Sequence, residues 1–153
     1  NNGPSEADGM DCRHHGSAWF IEFDQEKQLQ AEQVRTGIYH FSDLEKEISS
    51  KLELEKLIAE ILAFEPQNKI LRLKLIGELA REDFEEKDRY LTELRDNCFY
   101  TKIDQSDLKM KIDQDLIAAE FAENSFPYQL LNELEENNQA LHLAYKMLKE
   151  VQQ

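Results

Sequence analysis

Apolar and charged residues alternate with a period of two over residues 69–77, which predicts a β-strand with one buried face. Leu71, Leu73 and Leu75 fall on one side of this segment, whereas Arg72 and Lys74 fall on the other. The strand therefore belongs to a sheet that is covered on one side only.

Three further segments have the composition of strands. Residues 17–24 are rich in aromatic and β-branched side chains, residues 25–27 form a turn, and residues from 29 to about 41 form a second strand with a possible bulge at Gly37. These two strands are expected to pair as a hairpin. Residues 98–104 predict another strand, followed by a short one near residues 108–112.

Helices are predicted where capping signals precede apolar stripes. Ser42 and Glu45 have the spacing of a capping box, and so do Ser50 and Glu53. The second pair opens the better helix, which ends before Pro66 because proline disfavours helical geometry at the preceding residue. Its apolar stripe consists of Leu54, Leu57, Ile58, Ile61 and Leu62. A heavily charged helix follows and ends near residue 97.

The last part of the chain predicts two amphipathic helices hinged at Asn137 and Asn138. Leu130, Leu131 and Leu134 share one face of the first helix. The second helix carries apolar residues at helical spacing, namely Ala140, Leu143, Ala144, Met147, Leu148 and Val151. Such helices dock either on the chain's own core or on a partner. The candidate docking residues are Leu130, Leu131, Leu134, Leu143, Met147 and Leu148.

The predicted order of elements, β-β-α-β-α-β and then helices only, indicates an α+β fold with a small one-sided sheet and a helical tail. Residues 1–16, rich in Gly, Pro, Ser, Asn and Asp, read as a linker. The sheet module is expected to span residues 17–112, and the helical tail residues 113–153.

Composition narrows the function classes. The 32 acidic and 18 basic residues give a net charge of −14, which argues against non-specific electrostatic binding to the phosphates of nucleic acids. The two cysteines, Cys12 and Cys98, have no zinc-ligand spacing and favour a reducing compartment. No apolar run approaches the roughly 20 residues that span a bilayer, and no signal-peptide pattern opens the chain, so we expect a cytoplasmic protein without membrane contact. The linker-like start without an initiator Met suggests a piece of a longer protein.

Signals for catalysis are weak. The phosphate-binding and nucleophile motifs G-x-x-x-x-G-K-[ST], G-x-G-x-x-G and G-x-S-x-G do not occur. The acidic run over residues 82–88 is interleaved with basic residues, which is typical of a solvated helix face. His14 and His15 are adjacent and would point to opposite sides of an extended segment, which is unfavourable for a shared metal ion. His40 and His142 are expected to be surface or packing residues.

Basic residues gather on the predicted strands. If those strands are neighbours, their cations form a positive patch suited to a nucleic-acid backbone. The alternative is that these basic residues only occupy the solvent-exposed face of a sheet that is covered on one side. The candidate DNA contacts are Arg72, Lys74, Lys102, Lys109 and Lys111.

Several of these segments together resemble the carboxy-terminal region of SbcD/YhaO-like DNA repair exonucleases, which are calcineurin-like metallophosphoesterases. Residues 16–24 resemble the family's strand Gly-x-x-x-Val-x-Val-Asp, which follows its phosphoesterase domain. Residues 71–77 are similar to Leu-Arg-Leu-x-Leu-x-Gly. Residues 130–147 resemble the closing pattern of a Leu-Leu pair, an acidic stretch and Leu-Ala-Tyr-x-Met.

The resemblance implies a non-catalytic capping domain over a nuclease site, followed by helices that dock an SMC-like (SbcC-like) ATPase. It implies that the parent protein binds two Mn ions through motifs upstream of residue 1 and that no cofactor binds this fragment. A homodimer of the parent is compatible with the resemblance. The acidic balance departs from this picture and argues against direct DNA binding by the cap. The alternatives are a stand-alone acidic adaptor for protein partners and, third, a small enzyme that uses clustered carboxylates.

Overall fold

The computed structural model describes residues 5–12, 16–23 and 28–151. Five strands and five α-helices follow one another along this part of the chain. In order they are β1 (Ser17–Phe23), β2 (Leu29–Arg35), β3 (His40–Ile48), α1 (Lys51–Leu62), a 3₁₀ turn (Pro66–Asn68), β4 (Lys69–Leu79), α2 (Arg81–Asn97), β5 (Tyr100–Met110), α3 (Gln114–Glu120), α4 (Phe126–Glu133) and α5 (Asn138–Val151).

The predicted α+β class is confirmed, and the strands form two separate sheets. Strands β1 and β2 pair with each other in antiparallel register, as the hairpin prediction requires. Strands β3, β4 and β5 form a parallel sheet in that order, joined by the helices α1 and α2. The turn predicted at residues 25–27 lies outside the described residues.

The predicted second strand, from residue 29 to about residue 41, is in fact two strands in different sheets. Strand β2 ends at Arg35, and β3 begins at His40. Between them the Glu6 side chain accepts hydrogen bonds from the backbone N–H groups of Ile38 (2.9 Å) and Tyr39 (3.0 Å). Gly37 therefore belongs to a link that is tied to the amino-terminal segment, and it is not a bulge within a strand.

The helix start predicted at Ser42 is wrong, because residues 42–45 lie in the middle of β3. Their polar side chains alternate along the strand, and Asp43 and Glu45 stand opposite Arg72 and Lys74 of β4. Pairing with a strand about 30 residues later has overridden the local capping signal.

The capping signal at Ser50 is confirmed. The Ser50 hydroxyl accepts a hydrogen bond from the N–H of Glu53 at 3.4 Å, and the Glu53 carboxylate accepts one from the N–H of Ser49 at 2.8 Å. These bonds satisfy backbone donors at the start of α1 that have no partner inside the helix. Four of the five predicted stripe residues of α1 are buried, and Leu62 is partly buried against them.

The main hydrophobic core lies between the parallel sheet and the helices α1 and α2. Leu71, Leu73 and Leu75 of β4 are fully buried and pack with apolar residues of both helices. The opposite face of the sheet carries the charged residues of β4, so the sheet is covered on one side, as predicted. Most parallel sheets are covered on both faces, so this exposed face is unusual.

Strand β5 is a single strand, although two were predicted. Its register with β4 shifts between Lys74 and Ile76, where the partners change from Asp104 to Asp107. Two residues of β5 therefore stand opposite one of β4, which is the arrangement of a bulge. Ser106 donates its N–H and its hydroxyl to the Asp104 carboxylate within this irregularity. The bulge interrupts the period of two, and this explains why the sequence suggested a break.

The helices α3, α4 and α5 form a second, smaller hydrophobic cluster. The predicted pair of closing helices is confirmed as α4 and α5. Their packing, together with α3, buries an apolar set that follows the end of β5. This set comprises Ile112, Leu116, Ile117, Phe121, Leu131, Leu141 and Tyr145.

Candidate nucleic-acid and partner-docking surfaces

By strand register, four of the predicted DNA-contact residues share the exposed face of the parallel sheet, namely Arg72, Lys74, Lys102 and Lys109. Strand register places Arg72 of β4 opposite Lys102 of β5, and Lys74 lies two residues further along β4 on the same face. A hollow of about 390 Å³ lies over this face. It is lined by Asp43, Leu44, Glu45, Arg72, Leu73, Lys74, Lys102 and Asp104.

Carboxylates from the neighbouring strand pair with the first of these cations. Arg72 donates from Nε to Oδ1 of Asp43 at 2.7 Å, and its Nη2 bonds the other carboxylate oxygen. This two-bond arrangement is the strong form of an Arg–carboxylate contact. The hydrogen bond with Arg72 lowers the pKa of Asp43, and the same bond raises the pKa of Arg72.

Lys74 is held between two acidic residues. Its Nζ lies 3.1 Å from Asp107 and 3.7 Å from Glu45. The hydrogen bond to Asp107, with the negative charges of both neighbours, raises the pKa of Lys74. Positive and negative side chains therefore alternate on the sheet face. Because the carboxylates offset the cations, the face carries little net positive charge with which to bind a phosphate backbone.

The remaining three candidates have different surroundings. Lys102 is exposed, and no carboxylate of the described residues lies within ion-pair distance of it. Register places Lys109 opposite Glu78, and Lys111 follows β5, where its N–H bonds the carbonyl of Leu79 at 2.7 Å. The five cations thus do not form one uniform basic patch. Sequence reasoning missed the carboxylates of β3 because their segment resembled a helix start.

The predicted docking residues divide between buried and exposed positions. Leu131 is fully buried, and Leu134 and Leu148 pack partly buried against the same cluster. Leu130 is half-buried. Leu143 and Met147 are 60% and 58% exposed, and Val151 continues the same line at the end of α5. Exposed apolar residues at i, i+4 and i+8 form one stripe along the outer side of the helix.

The inward side of α5 was predicted only in part. Ala144 and Leu148 of the predicted stripe pack partly buried against the helical cluster, whereas Leu143 and Met147 are exposed. The two buried residues of this helix, Leu141 and Tyr145, were not part of the predicted stripe. The Tyr145 ring meets Phe121 edge to face, with ring centroids 6.3 Å apart. The helix is therefore apolar on two sides, and only one side is used within the described part of the chain.

A largely buried carboxylate joins three helices. Glu120, at the end of α3, accepts a hydrogen bond from the Tyr145 hydroxyl at 2.6 Å and pairs with Lys149 at 3.2 Å, both on α5. Its other oxygen accepts from Arg81 at the start of α2 at 2.8 Å. Burial alone would raise the pKa of Glu120, but the bonds from Tyr145 and Lys149 and the nearby positive charges outweigh it, so this pKa is lowered.

The candidate histidines and the acidic run of α2 form contacts with other side chains. His40 lies 3.0 Å from Glu65, and His142 lies 3.3 Å from Glu78. Within α2, Arg81 and Glu85 form an i,i+4 ion pair at 3.0 Å. The two histidine contacts join different elements, whereas this ion pair lies within one helix.

Histidine and cysteine residues were the remaining candidates for metal or thiol chemistry. His14 and His15 lie outside the described residues. Among the residues that are described, no three His, Cys, Asp or Glu side chains are grouped to hold a metal ion. Burial raises the pKa of the Cys98 thiol, which lowers its reactivity.

Within the described ranges, no helix is both long and apolar enough to cross a lipid bilayer. Neither a protein-family model, a curated protein sequence nor a solved structure matches the chain.

Proposed function

We propose that this chain is the non-catalytic carboxy-terminal region of a cytoplasmic DNA double-strand-break repair exonuclease. In this proposal the sheet module caps the nuclease site and assists DNA access, and the helical tail docks an SMC-like ATPase. The proposal starts from the resemblance of the strand over residues 71–77 and of the helix over residues 143–147 to SbcD/YhaO-like proteins.

The observation that carries the docking part is the second apolar side of α5. The helix already buries Leu141 and Tyr145, yet it exposes Leu143, Met147 and Val151 in a line on another side. An amphipathic helix commonly binds a partner by laying such i, i+4 anchors in an apolar groove. Lys146 is exposed beside the stripe, so a partner groove with acidic residues at its rim would fit it.

The charges on the sheet module favour a capping role over a role in tight DNA binding. Its exposed face pairs Arg72 and Lys74 with carboxylates, which compete with phosphate for these cations. Lys102 is the cation on this face that we expect to contribute most to a DNA contact. The reaction itself is assigned to metal-binding residues of the parent protein, and no catalytic step is assigned to this chain.

The same alternation of charges favours one alternative, a stand-alone acidic adaptor that presents α5 to a protein partner. Both proposals use the exposed stripe of α5. They differ in whether a nuclease domain belongs to the same polypeptide and whether DNA has any part in the function.

A co-purification experiment with the SMC-like ATPase of the source organism tests the docking proposal. We expect Leu143→Asp to abolish co-purification and to leave the circular dichroism spectrum unchanged, because this side chain is exposed. Leu52→Asp is the matched control, since Leu52 is an exposed leucine on α1. Retention of the ATPase by the Leu143 variant, or equal loss with both variants, would refute docking through α5.

A further inference from the structure

Strand register divides the exposed face of the parallel sheet into rows that run across the three strands. The first row, at the amino ends of the strands, is uncharged and consists of Phe41, Ile70 and Tyr100. Tyr100 is 56% exposed, and the other two side chains are half-buried. The face therefore begins with an apolar row in which one aromatic ring is open to solvent.

The charge of the following rows changes sign along the strands. The second row holds two cations and one anion, namely Arg72, Lys102 and Asp43. The third row holds one cation and two anions, namely Lys74, Glu45 and Asp104. In the fourth row, Glu47 and Asp107 flank Ile76, so this row is negative. The net positive row of this face thus lies directly beside the aromatic one.

Lys102 is the cation of the second row that is available to a ligand. Arg72 is held by the Asp43 carboxylate, whereas no carboxylate of the described residues lies within ion-pair distance of Lys102. Lys102 follows Tyr100 by two residues, so the two side chains lie on the same side of β5, about 7 Å apart along the strand. An exposed ring and an available ammonium group therefore stand next to each other.

A second exposed ring lies at the same end of the sheet. Phe99 directly precedes Tyr100 and is 59% exposed. Its ring contacts that of Tyr39, with centroids 4.7 Å apart, and its backbone N–H bonds the carbonyl of Pro66 at 3.3 Å. These contacts fix the backbone at the start of β5, so the Tyr100 ring is presented from a well-anchored position.

Aromatic rings beside cations suit a single strand of nucleic acid. Proteins that bind single strands stack exposed bases on aromatic side chains and contact the phosphates with cations. A duplex keeps its bases stacked on one another and offers an aromatic side chain only its phosphates and groove edges. The net charge of −14 opposes binding, but charges more than about 8 Å away are largely screened at physiological ionic strength. The local row of charges therefore matters more than the total.

We infer that the first two rows of the sheet face, here called the aromatic end, bind a single strand of DNA, with a base stacked on Tyr100 and a neighbouring phosphate at Lys102. The aromatic end consists of Phe41, Ile70, Tyr100, Asp43, Arg72 and Lys102. The inference rests on the proposed function and deepens it, because it names the form of DNA that contacts the cap. One stacked base and one available cation make this a weak contact.

Fluorescence anisotropy with the 153-residue chain and a labelled oligothymidylate of about 15 nucleotides tests the inference. We expect saturable binding that weakens as salt is added. An abasic strand of the same length keeps the phosphates but has no bases to stack, so we expect it to bind more weakly. A duplex of the same length should also bind more weakly than the single strand.

Substitutions separate stacking from charge. Tyr100→Ala should weaken binding of the oligothymidylate about tenfold, whereas Tyr100→Phe, which keeps the ring, should retain it. Phe20→Ala is the matched control, because Phe20 is an aromatic residue on β1 with a similar exposure of 54%. Circular dichroism checks that each variant is folded.

The salt dependence reports the phosphate contact. Lys102→Gln should reduce the slope of log affinity against log salt concentration by about 0.7, the value for one phosphate of a single strand. Lys56→Gln removes an exposed lysine on α1 and should leave the slope unchanged.

Several results would overturn the inference. They are an absence of binding at low salt, equal affinity for the abasic strand, tighter binding of the duplex, and equal losses with Tyr100→Ala and Phe20→Ala. The proposed function can fail separately. Binding as expected by a chain whose gene encodes no nuclease motifs would support the aromatic end and refute the proposed function. Docking of the ATPase through α5 by a chain that binds no oligonucleotide would refute the aromatic end alone.

Discussion

At the scale of single residues, Gly77 shows how one position fixes the approach of two strands. Its φ of +117° lies in a region that L side chains rarely adopt. A Cβ atom at this position would also overlap the carbonyl oxygen of Ile48, its register partner on β3. The absence of a side chain therefore allows the carboxyl ends of β3 and β4 to lie side by side.

We expect Gly77→Ala to lower the free energy of unfolding by about 2 to 4 kcal/mol, because backbone strain and a clash with β3 add together. Gly37→Ala is the control, since Gly37 has no positive φ, and we expect it to cost less than about 1 kcal/mol. Urea denaturation followed by circular dichroism measures both values. Equal stability of the two variants would show that β3 moves aside without cost.

The residue scale also shows what could be read from the sequence and what could not. The alternation around Leu73 predicted β4 because its inner residues are all leucine, so the local pattern matched the final environment. For Asp43 and Glu45, the local pattern did not match the final environment. Their role as partners of Arg72 and Lys74 depends on strand pairing between distant segments, which a local capping pattern concealed.

At the scale of elements, the positions of these helices along the sequence were easier to predict than the side of each helix that packs inward. The caps and apolar stripes of α1, α4 and α5 are local, and all three helices occur where predicted. The inward side of α5 is decided by tertiary contacts, among them the contact of the Tyr145 ring with Phe121, which directly follows α3. Because α5 is apolar on two sides, its sequence alone did not distinguish the packed side from the exposed stripe.

Glu120 links α3 to both α2 and α5, so we expect Glu120→Gln to loosen the helical tail. Its side chain is 10% exposed and bonds Arg81, Tyr145 and Lys149. Loss of charge-assisted hydrogen bonds should cost about 1 to 3 kcal/mol at pH 7. Glu123→Gln, at an exposed site in the next loop, should leave stability unchanged.

The lowered pKa of Glu120 gives this prediction a pH dependence. A carboxyl group whose pKa is lower in the folded state stabilises that state above its unfolded pKa, and this contribution is lost as the pH falls through the folded pKa. The difference in unfolding free energy between wild type and Glu120→Gln should therefore be full at neutral pH and shrink below about pH 4.5, the ordinary glutamate value. A difference that stays constant from pH 7 to pH 3 would contradict this role.

At the scale of the whole molecule, the described residues form a parallel sheet with its helices α1 and α2, a two-stranded sheet of β1 and β2, and a helical tail, and each exposes a different surface. The parallel sheet has a hydrophobic core under α1 and α2. The tail has a small core and leaves one stripe of α5 exposed, whereas the two-stranded sheet leaves the large apolar side chains of β1 exposed. This distribution suits a region that joins one protein to another, and it supports the proposed role between a nuclease domain and an ATPase.

The most direct test of this account is to determine the coding sequence immediately upstream of Asn1 in the source genome. The account predicts an open reading frame that continues upstream and encodes Asp-x-His, Gly-Asp, Gly-Asn-His-Asp and Gly-His-x-His motifs, which would bind the two Mn ions of the parent exonuclease. A start codon directly before Asn1, or an upstream domain without these motifs, would contradict the account, and the start codon would favour the stand-alone acidic adaptor.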